Sequence, residues 1–400
     1  MRALKAAARR AAFTALAAGA LAACAPPPGG PVVERSPQPV QPTEPRRDVE
    51  SGPMTVALLA PLGAAEERVA GDATALANGA RMALADMGVR GLTLRVKDTR
   101  GTPAGARAAA EEAVADGASL IIGPLFARST SAVAPVAKAA NIPVLSFSTD
   151  RTVAGGPVWI TGFAPEDELD RILGFASRQG ISRIAIYAPD IPYGAAVMRA
   201  SRGIAARHGI SIVAESSYPR SFQDIQRTAP DLVNDANAFG AEAILLPDFG
   251  QGLTTASSYV DFLGLPQPRV RYLGLGQWEA GATLREPTLE GGWFAGADVE
   301  AVDAFSRAYS ARYGSRPPFM AVLGHDAALI AATLVRDAQR GGGVPFSDAA
   351  LTREGGFAGA VGAIRLNPDG TSTRGLAVLE VGSRRFSLLE PAPSRLNAGL

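Results

Sequence analysis

Cysteine is almost absent from this 400-residue sequence: Cys24 stands alone, which excludes a disulfide framework and any cluster held by several thiolates. Histidine is nearly as scarce, with only His208 and His325, so a histidine-rich metal site is excluded as well. Lysine occurs at Lys5, Lys97 and Lys138 only, and arginine supplies the rest of the positive charge. Formal net charge is +1, so no global field draws the chain to nucleic acid or to an acidic membrane surface. Catalytic spacings are missing too. There is no Gly-x-Ser-x-Gly elbow, no phosphate loop ending in Gly-Lys-Ser/Thr and no His-Glu-x-x-His. Gly274-Leu275-Gly276 opens like a dinucleotide fingerprint, but Glu279 stands where its third glycine belongs, which leaves a strand end and a turn. His325 and Asp326 are neighbours on a predicted helix, so their side chains diverge by about 100° and do not pair as base and orienting acid. The expectation is a protein without catalytic residues, metal or cofactor: a binding protein, not an enzyme.

What is present divides the chain in two. Arg2, Lys5, Arg9 and Arg10 precede an uncharged, mostly apolar run over Ala11–Ala23. That run is shorter than the roughly 20 residues a spanning helix needs and suits a signal peptide over 1–23. It ends in Leu21-Ala22-Ala23-Cys24, which resembles the bacterial lipobox and implies acylation of Cys24. Behind it, 24–52 holds Pro26, Pro27, Pro28, Pro31, Pro37, Pro39, Pro42 and Pro45 without apolar periodicity. Such a stretch favours extended conformations and builds no core. Ala25 after the cysteine, by resemblance to the sorting pattern of Gram-negative lipoproteins, implies the periplasmic face of the outer membrane. The expected result of Cys24→Ala is release of a soluble periplasmic form; intact mass showing an unmodified Cys24 in the native protein overturns it.

From Met54 onward the pattern changes, and the apolar fraction of 47% is that of a globular protein. Thr55–Ala60 is a continuous apolar run stopped by Pro61, a strand buried on both faces. Asp72 then leads a helical spacing of Leu76, Ala80, Ala83, Leu84 and Met87, closed by Gly88. Leu92, Leu94 and Val96 alternate with polar residues; Thr102-Pro103 carries a cap and a first-turn proline for the next helix. The alternation continues to Val144–Ser146 and repeats after Trp159-Ile160-Thr161. Helices are predicted at Glu300–Tyr313 and Met320–Arg340, and a hairpin-like end pairs Ala363–Leu366 with Leu376–Val381 around Asn367-Pro368-Asp369-Gly370. The fold class is α/β: two Rossmann-like lobes in series with an interlobe cleft.

Several stretches carry a resemblance over nearly the whole body: Ile121-Ile122-Gly123-Pro124-Leu125, Ile142-Pro143-Val144-Leu145-Ser146, Tyr272-Leu273-Gly274 with Gln277-Trp278, and Gly356-Phe357-Ala358-Gly359-Ala360-Val361-Gly362. They are similar to type I periplasmic binding proteins of the leucine/isoleucine/valine class, and more narrowly to the penicillin-binding-protein activator lipoproteins. The resemblance implies one body over 53–390 with discontinuous lobes, lobe I over 53–160 and 293–345 and lobe II over 161–292 and 346–390, followed by a tail at 391–400. It implies that lobe I receives a ligand carboxylate at Ser148 and Thr149, while Tyr193, Asp248, Gln277 and Trp278 face the same opening from lobe II. An amino-acid ligand needs a carboxylate for its ammonium group, and where the resemblance places it this chain has Gln277 and Trp278. Two functions follow. One is a lipoprotein that regulates peptidoglycan synthesis through a penicillin-binding protein, favoured by the tether. The other is the substrate-binding receptor of an ABC permease for amino acids or other small solutes.

Overall fold

The computed structural model describes residues 53–396. The lipobox, Cys24 and the Pro-rich tether therefore lie outside the described residues. The body opens with β1 (Met54–Ala60), α1 (Glu67–Met87), β2 (Leu92–Asp98), α2 (Pro103–Ala115), β3 (Ala118–Ile122), α3 (Ala127–Ala139), β4 (Val144–Ser146) and β5 (Val158–Ile160). These strands form a parallel sheet in the order β2-β1-β3-β4-β5. β1 is buried almost throughout because both faces of the sheet are covered. Val56 and Leu58 join the core under α1, while Ala57 and Leu59 join the one under α2 and α3.

Lobe II follows as α4 (Pro165–Arg178), β6 (Arg183–Pro189), α5 (Pro192–Arg207), β7 (Ser211–Tyr218), α6 (Phe222–Ala238), β8 (Ala243–Leu245), α7 (Gly250–Phe262), β9 (Arg271–Gly274) and β10 (Trp293–Gly296). The chain then returns to lobe I for α8 (Val299–Tyr313), α9 (Met320–Gly341), α10 (Asp348–Leu351) and a small sheet of β11 (Phe357–Gly359), β12 (Gly362–Leu366) and β13 (Ser372–Arg374). It ends in lobe II with β14 (Ala377–Val381) and β15 (Phe386–Glu390). The second sheet has the order β15-β14-β10-β9-β8-β6-β7, with β14 and β15 antiparallel to their neighbours. It too is doubly wound: Ile184 and Ile186 pack with α4 and α5, Ala185 and Tyr187 with α6 and α7.

Three expectations need correction. Trp293–Gly296 belongs to lobe II, since β10 pairs with β9 and β14. Residues 346–374 belong to lobe I, because Phe346, Leu351, Phe357, Ile364 and Leu366 pack into the core beneath α1 and α9. The hairpin partner of β12 is β13, in the register Leu366↔Ser372 and Ile364↔Arg374, while β14 crosses into the other sheet. The turn at Asn367–Gly370 is as expected, closed by Gly370 N–H donating to the Asn367 carbonyl at 3.0 Å. The chain thus passes between lobes at Thr161–Ala164, Ala297–Asp298 and Gly375–Leu376. α1 starts at Glu67, earlier than the apolar spacing indicates, because Arg68 pairs with Asp72 one turn on and supports a polar first turn.

Candidate functional site

Parallel strands place all their carboxyl ends on one edge, and the chain leaves lobe I beyond β5 and lobe II beyond β10. Both carboxyl edges therefore adjoin the three crossings, and the cleft lies between them. Helix starts on these edges differ in their capping. α1, α3, α5 and α7, which follow the inner strands β1, β3, β6 and β8, begin without a side-chain cap. α2 and α6, which follow β2 and β7, are capped: Thr102 Oγ1 accepts from Gly105 N–H and Ser221 Oγ from Asp224 N–H. Of the helices that follow a crossing, α4 starts uncapped and α8 is capped by Asp298. The inner helix starts leave first-turn N–H groups to solvent or ligand, at the positive end of each helix dipole.

The residues singled out in the sequence all sit beyond carboxyl ends of strands, but they do not share one role. Ser148 is buried and its Oγ accepts from Asp150 N–H at 3.0 Å, a local turn bond that still leaves its proton to donate. Thr149 beside it is exposed. Tyr193, in the first turn of α5, is half-buried and donates to Glu168 Oε2 at 3.2 Å. Gln277 is exposed.

Asp248 and Trp278 are corrections. Asp248 is fully buried and accepts from Tyr218 Oη at 2.8 Å, from Phe249 N–H at 2.8 Å and from Arg220 Nε at 3.1 Å. It is an internal counter-ion that pins the loop beyond β8. Trp278 is fully buried in the lobe II core, and its Nε1 donates to the Leu246 carbonyl at 2.9 Å. Its ring occupies the space a side chain on Gly274 would need, since a Cβ there would lie 2.1 Å from Trp278 Cδ2. His325 lies edge-on to Phe305 at 5.3 Å, and its Nδ1 is 3.7 Å from Asp326 Oδ1, too far for a hydrogen bond.

Two acids that were not among the expected site residues lie on the lobe II side. Glu168, in the first turn of α4, is buried against Tyr193 and the Gly276 N–H. Burial pushes its carboxyl up to about 8, against the pull of those two donors. Glu279 accepts from Ala297 N–H at the second crossing, and burial pushes it up to about 7. The signal for Glu168 was its place on the apolar stripe of α4, in step with Leu169, Ile172 and Ala176. Asp190 at the end of β6 is exposed. Among the described residues no group of three or more acids, histidines or cysteines is placed to hold a metal ion, and no helix is long and apolar enough to cross a membrane.

No curated protein sequence matches the chain. Among solved structures, a Rhodospirillum rubrum protein provisionally assigned to branched-chain amino acid ABC transport matches with a TM-score of 0.73 at 19% identity, covering 84% of this chain and 99% of that one. An ABC transporter substrate-binding protein from Desulfitobacterium hafniense in complex with Leu matches at 0.61 and 21% identity, covering 84% and 99%. A solute-binding protein of an ABC transporter from Rhodopseudomonas palustris BisB5, in complex with 3,4-dihydroxybenzoic acid, matches at 0.60 and 18%, covering 86% and 99%. These likenesses show the fold. With the family profile matched over residues 53–385, the chain belongs to the periplasmic binding protein family.

Proposed function

We propose that the chain is the substrate-binding receptor of an ABC transporter and holds a small organic carboxylate between its lobes. The observation that carries this reading is the set of helix starts at the carboxyl edges of both sheets: α1 and α3 in lobe I and α5 and α7 in lobe II begin without a side-chain cap, so their first-turn N–H groups are open to an anion. Ser148 and Thr149 supply hydroxyls from lobe I, and Tyr193 and Gln277 the polar contacts from lobe II. The neighbouring receptors, one with leucine and one with a dihydroxybenzoic acid, support a cleft of this kind.

Asp248 is occupied by Tyr218, Arg220 and the Phe249 N–H inside lobe II and is not offered to a ligand ammonium group. Acids without an ammonium group are therefore expected to bind more tightly than leucine, isoleucine or valine. The missing charge-assisted bond is worth roughly 1.5–3 kcal/mol, about ten- to a hundredfold in affinity. Calorimetric titration checks this, with Thr149→Ala weakening the binding. A micromolar leucine isotherm, lost in Asp190→Asn, moves the ligand class to amino acids. Absence of binding by any small carboxylate overturns the receptor reading.

The second reading is an activator lipoprotein of the outer membrane that contacts a penicillin-binding protein. Its support is the lipobox at Cys24 with the Pro-rich tether and Ala25. Crosslinked pull-down from envelopes separates the two: a permease supports the first, a peptidoglycan synthase the second.

A further inference from the structure

Where the lobes join, one arginine grips two crossings at once. Arg374 ends β13, a residue before the chain leaves for lobe II. Its Nε and Nη2 both donate to the carbonyl of Thr161 in the first crossing, at 3.1 and 2.6 Å. Its Nη1 donates to Asp326 Oδ2 of α9 at 3.0 Å, and both side chains are buried. The other oxygen, Asp326 Oδ1, accepts from Ala360 N–H at 2.7 Å. The flat face of the guanidinium lies on the Phe163 ring, 4.0 Å from its centroid, and Phe319 packs on Phe163 at 4.9 Å.

Phe163 packs against the core of lobe I beneath α1 and α9 and also against the core of lobe II around α4 and α5. The crossings leave little room beside it. A side chain on Gly162 would meet the Phe147 and Ser148 carbonyls at 2.6 Å, and one on Gly375 would meet the Pro393 carbonyl at 2.8 Å. Only glycine fits at these two points, so the chain runs closely packed on either side of Phe163, and the side chains around that ring bear on the path the crossings take.

We infer that Arg374, fixed by Asp326 and seated on Phe163, is the pivot that sets the angle between the lobes. The pair acts as a positioning device: the Arg374 side chain bonds to Thr161 and Asp326 and to none of the proposed ligand contacts, and the inference does not depend on which ligand the cleft takes. Asp326 anchors the guanidinium to lobe I through α9 and Ala360. The paired bonds to Thr161 keep the first crossing in one path, and the ring of Phe163 is the surface on which lobe II rides. Loosening any of these lets the lobes sample a wider range of angles. That lowers the closed-competent fraction, and apparent affinity falls by the same factor without loss of a ligand contact.

The test is an interlobe distance measured in the full chain carrying Cys24→Ala, with spin labels on Lys138→Cys of α3 and Asn234→Cys of α6, both exposed. The chain with Arg374 intact should give a single narrow distance peak without ligand. Arg374→Met keeps the apolar stem on Phe163 and removes every donor; the peak should be lost into a broad distribution while circular dichroism stays native. Arg374→Lys keeps the charge for Asp326 without the paired hold on Thr161, and should broaden it too. A native-like Arg374→Met protein with an unchanged peak and only a lower melting temperature overturns the inference, because the pair is then structural. Should Arg374→Met fail to fold, the isosteric Asp326→Asn carries the test: a broadened peak supports the pivot and an unchanged one overturns it.

Discussion

Replacing Gly79 by alanine is expected to destabilise lobe I by about 3 kcal/mol or more, whereas Gly71→Ala in the same helix should stabilise it by about 0.5–1 kcal/mol. Both glycines lie in α1, where alanine is the better helix former by about 1 kcal/mol. Space decides the sign. A Cβ on Gly71 meets nothing within 4 Å, so only the propensity gain remains. A Cβ on Gly79 would sit 1.9 Å from the Ala321 carbonyl oxygen of α9, and one on Gly324 of α9 would sit 2.0 Å from the Leu76 carbonyl oxygen of α1. These are backbone atoms, so no rotamer change relieves the clash and the helices must separate. Separation opens the core that Leu76, Ala80, Leu323, Ala327 and Ala331 close between them. Gly324→Ala should cost about as much, and the double variant less than the sum, since one separation relieves both clashes. Denaturant midpoints of the three single variants check this; equal midpoints for Gly71→Ala and Gly79→Ala sink it.

That contact also marks how far the sequence could be read. The buried run of β1, the cap at Thr102 with proline at the first helical position and the repeated strand–helix alternation follow from local chemistry, and the structure has them. Lobe membership after Trp293 does not follow from local chemistry. The crossings are two to four residues long and carry no change of composition, so nothing in the chain marks the point of return. β13 is a three-residue polar strand, and the more apolar Ala377–Val381 looked the better partner for β12. The site shows the same limit. Pro247-Asp248-Phe249-Gly250 has the composition of an exposed turn, yet Asp248 is buried by Tyr218 and Arg220, which come from another strand end. Gln277-Trp278 looked like a rim aromatic, but Gly274 leaves the hole that Trp278 fills. Arg374 and Asp326 are 48 residues apart, and only the folded chain makes them a pair.

Glu168→Gln is expected to flatten the fall of stability with rising pH and to leave a protein more stable than the parent above about pH 8. Glu168 is 7% exposed, and burial lifts its carboxyl from 4.5 in the unfolded chain to about 8 in the fold. Between those values the folded state holds a proton that the unfolded state has released. The unfolded state then binds fewer protons, so stability falls as pH rises through that window, by up to about 1.4 kcal/mol per pH unit. The contribution is fully favourable below the unfolded value and is lost once pH passes the folded one. Glu279 and Asp167, each pushed up to about 7 by burial, add slopes of the same sign over a narrower window, so the variant should flatten the profile without abolishing it. Glutamine keeps the size of the side chain. Its Oε1 can still accept from Gly276 N–H, and its amide can donate toward Tyr193, so near pH 5 the two proteins should match. Tyr193→Phe acts in the opposite direction: it removes a donor that favours the ionised form and should carry the fall to higher pH. Denaturant titrations of all three proteins between about pH 5 and pH 9 provide the measurement. Curves for Glu168→Gln and the parent that run parallel across the range would mean that Glu168 is ionised in the fold, with a cation or water reaching it from the cleft.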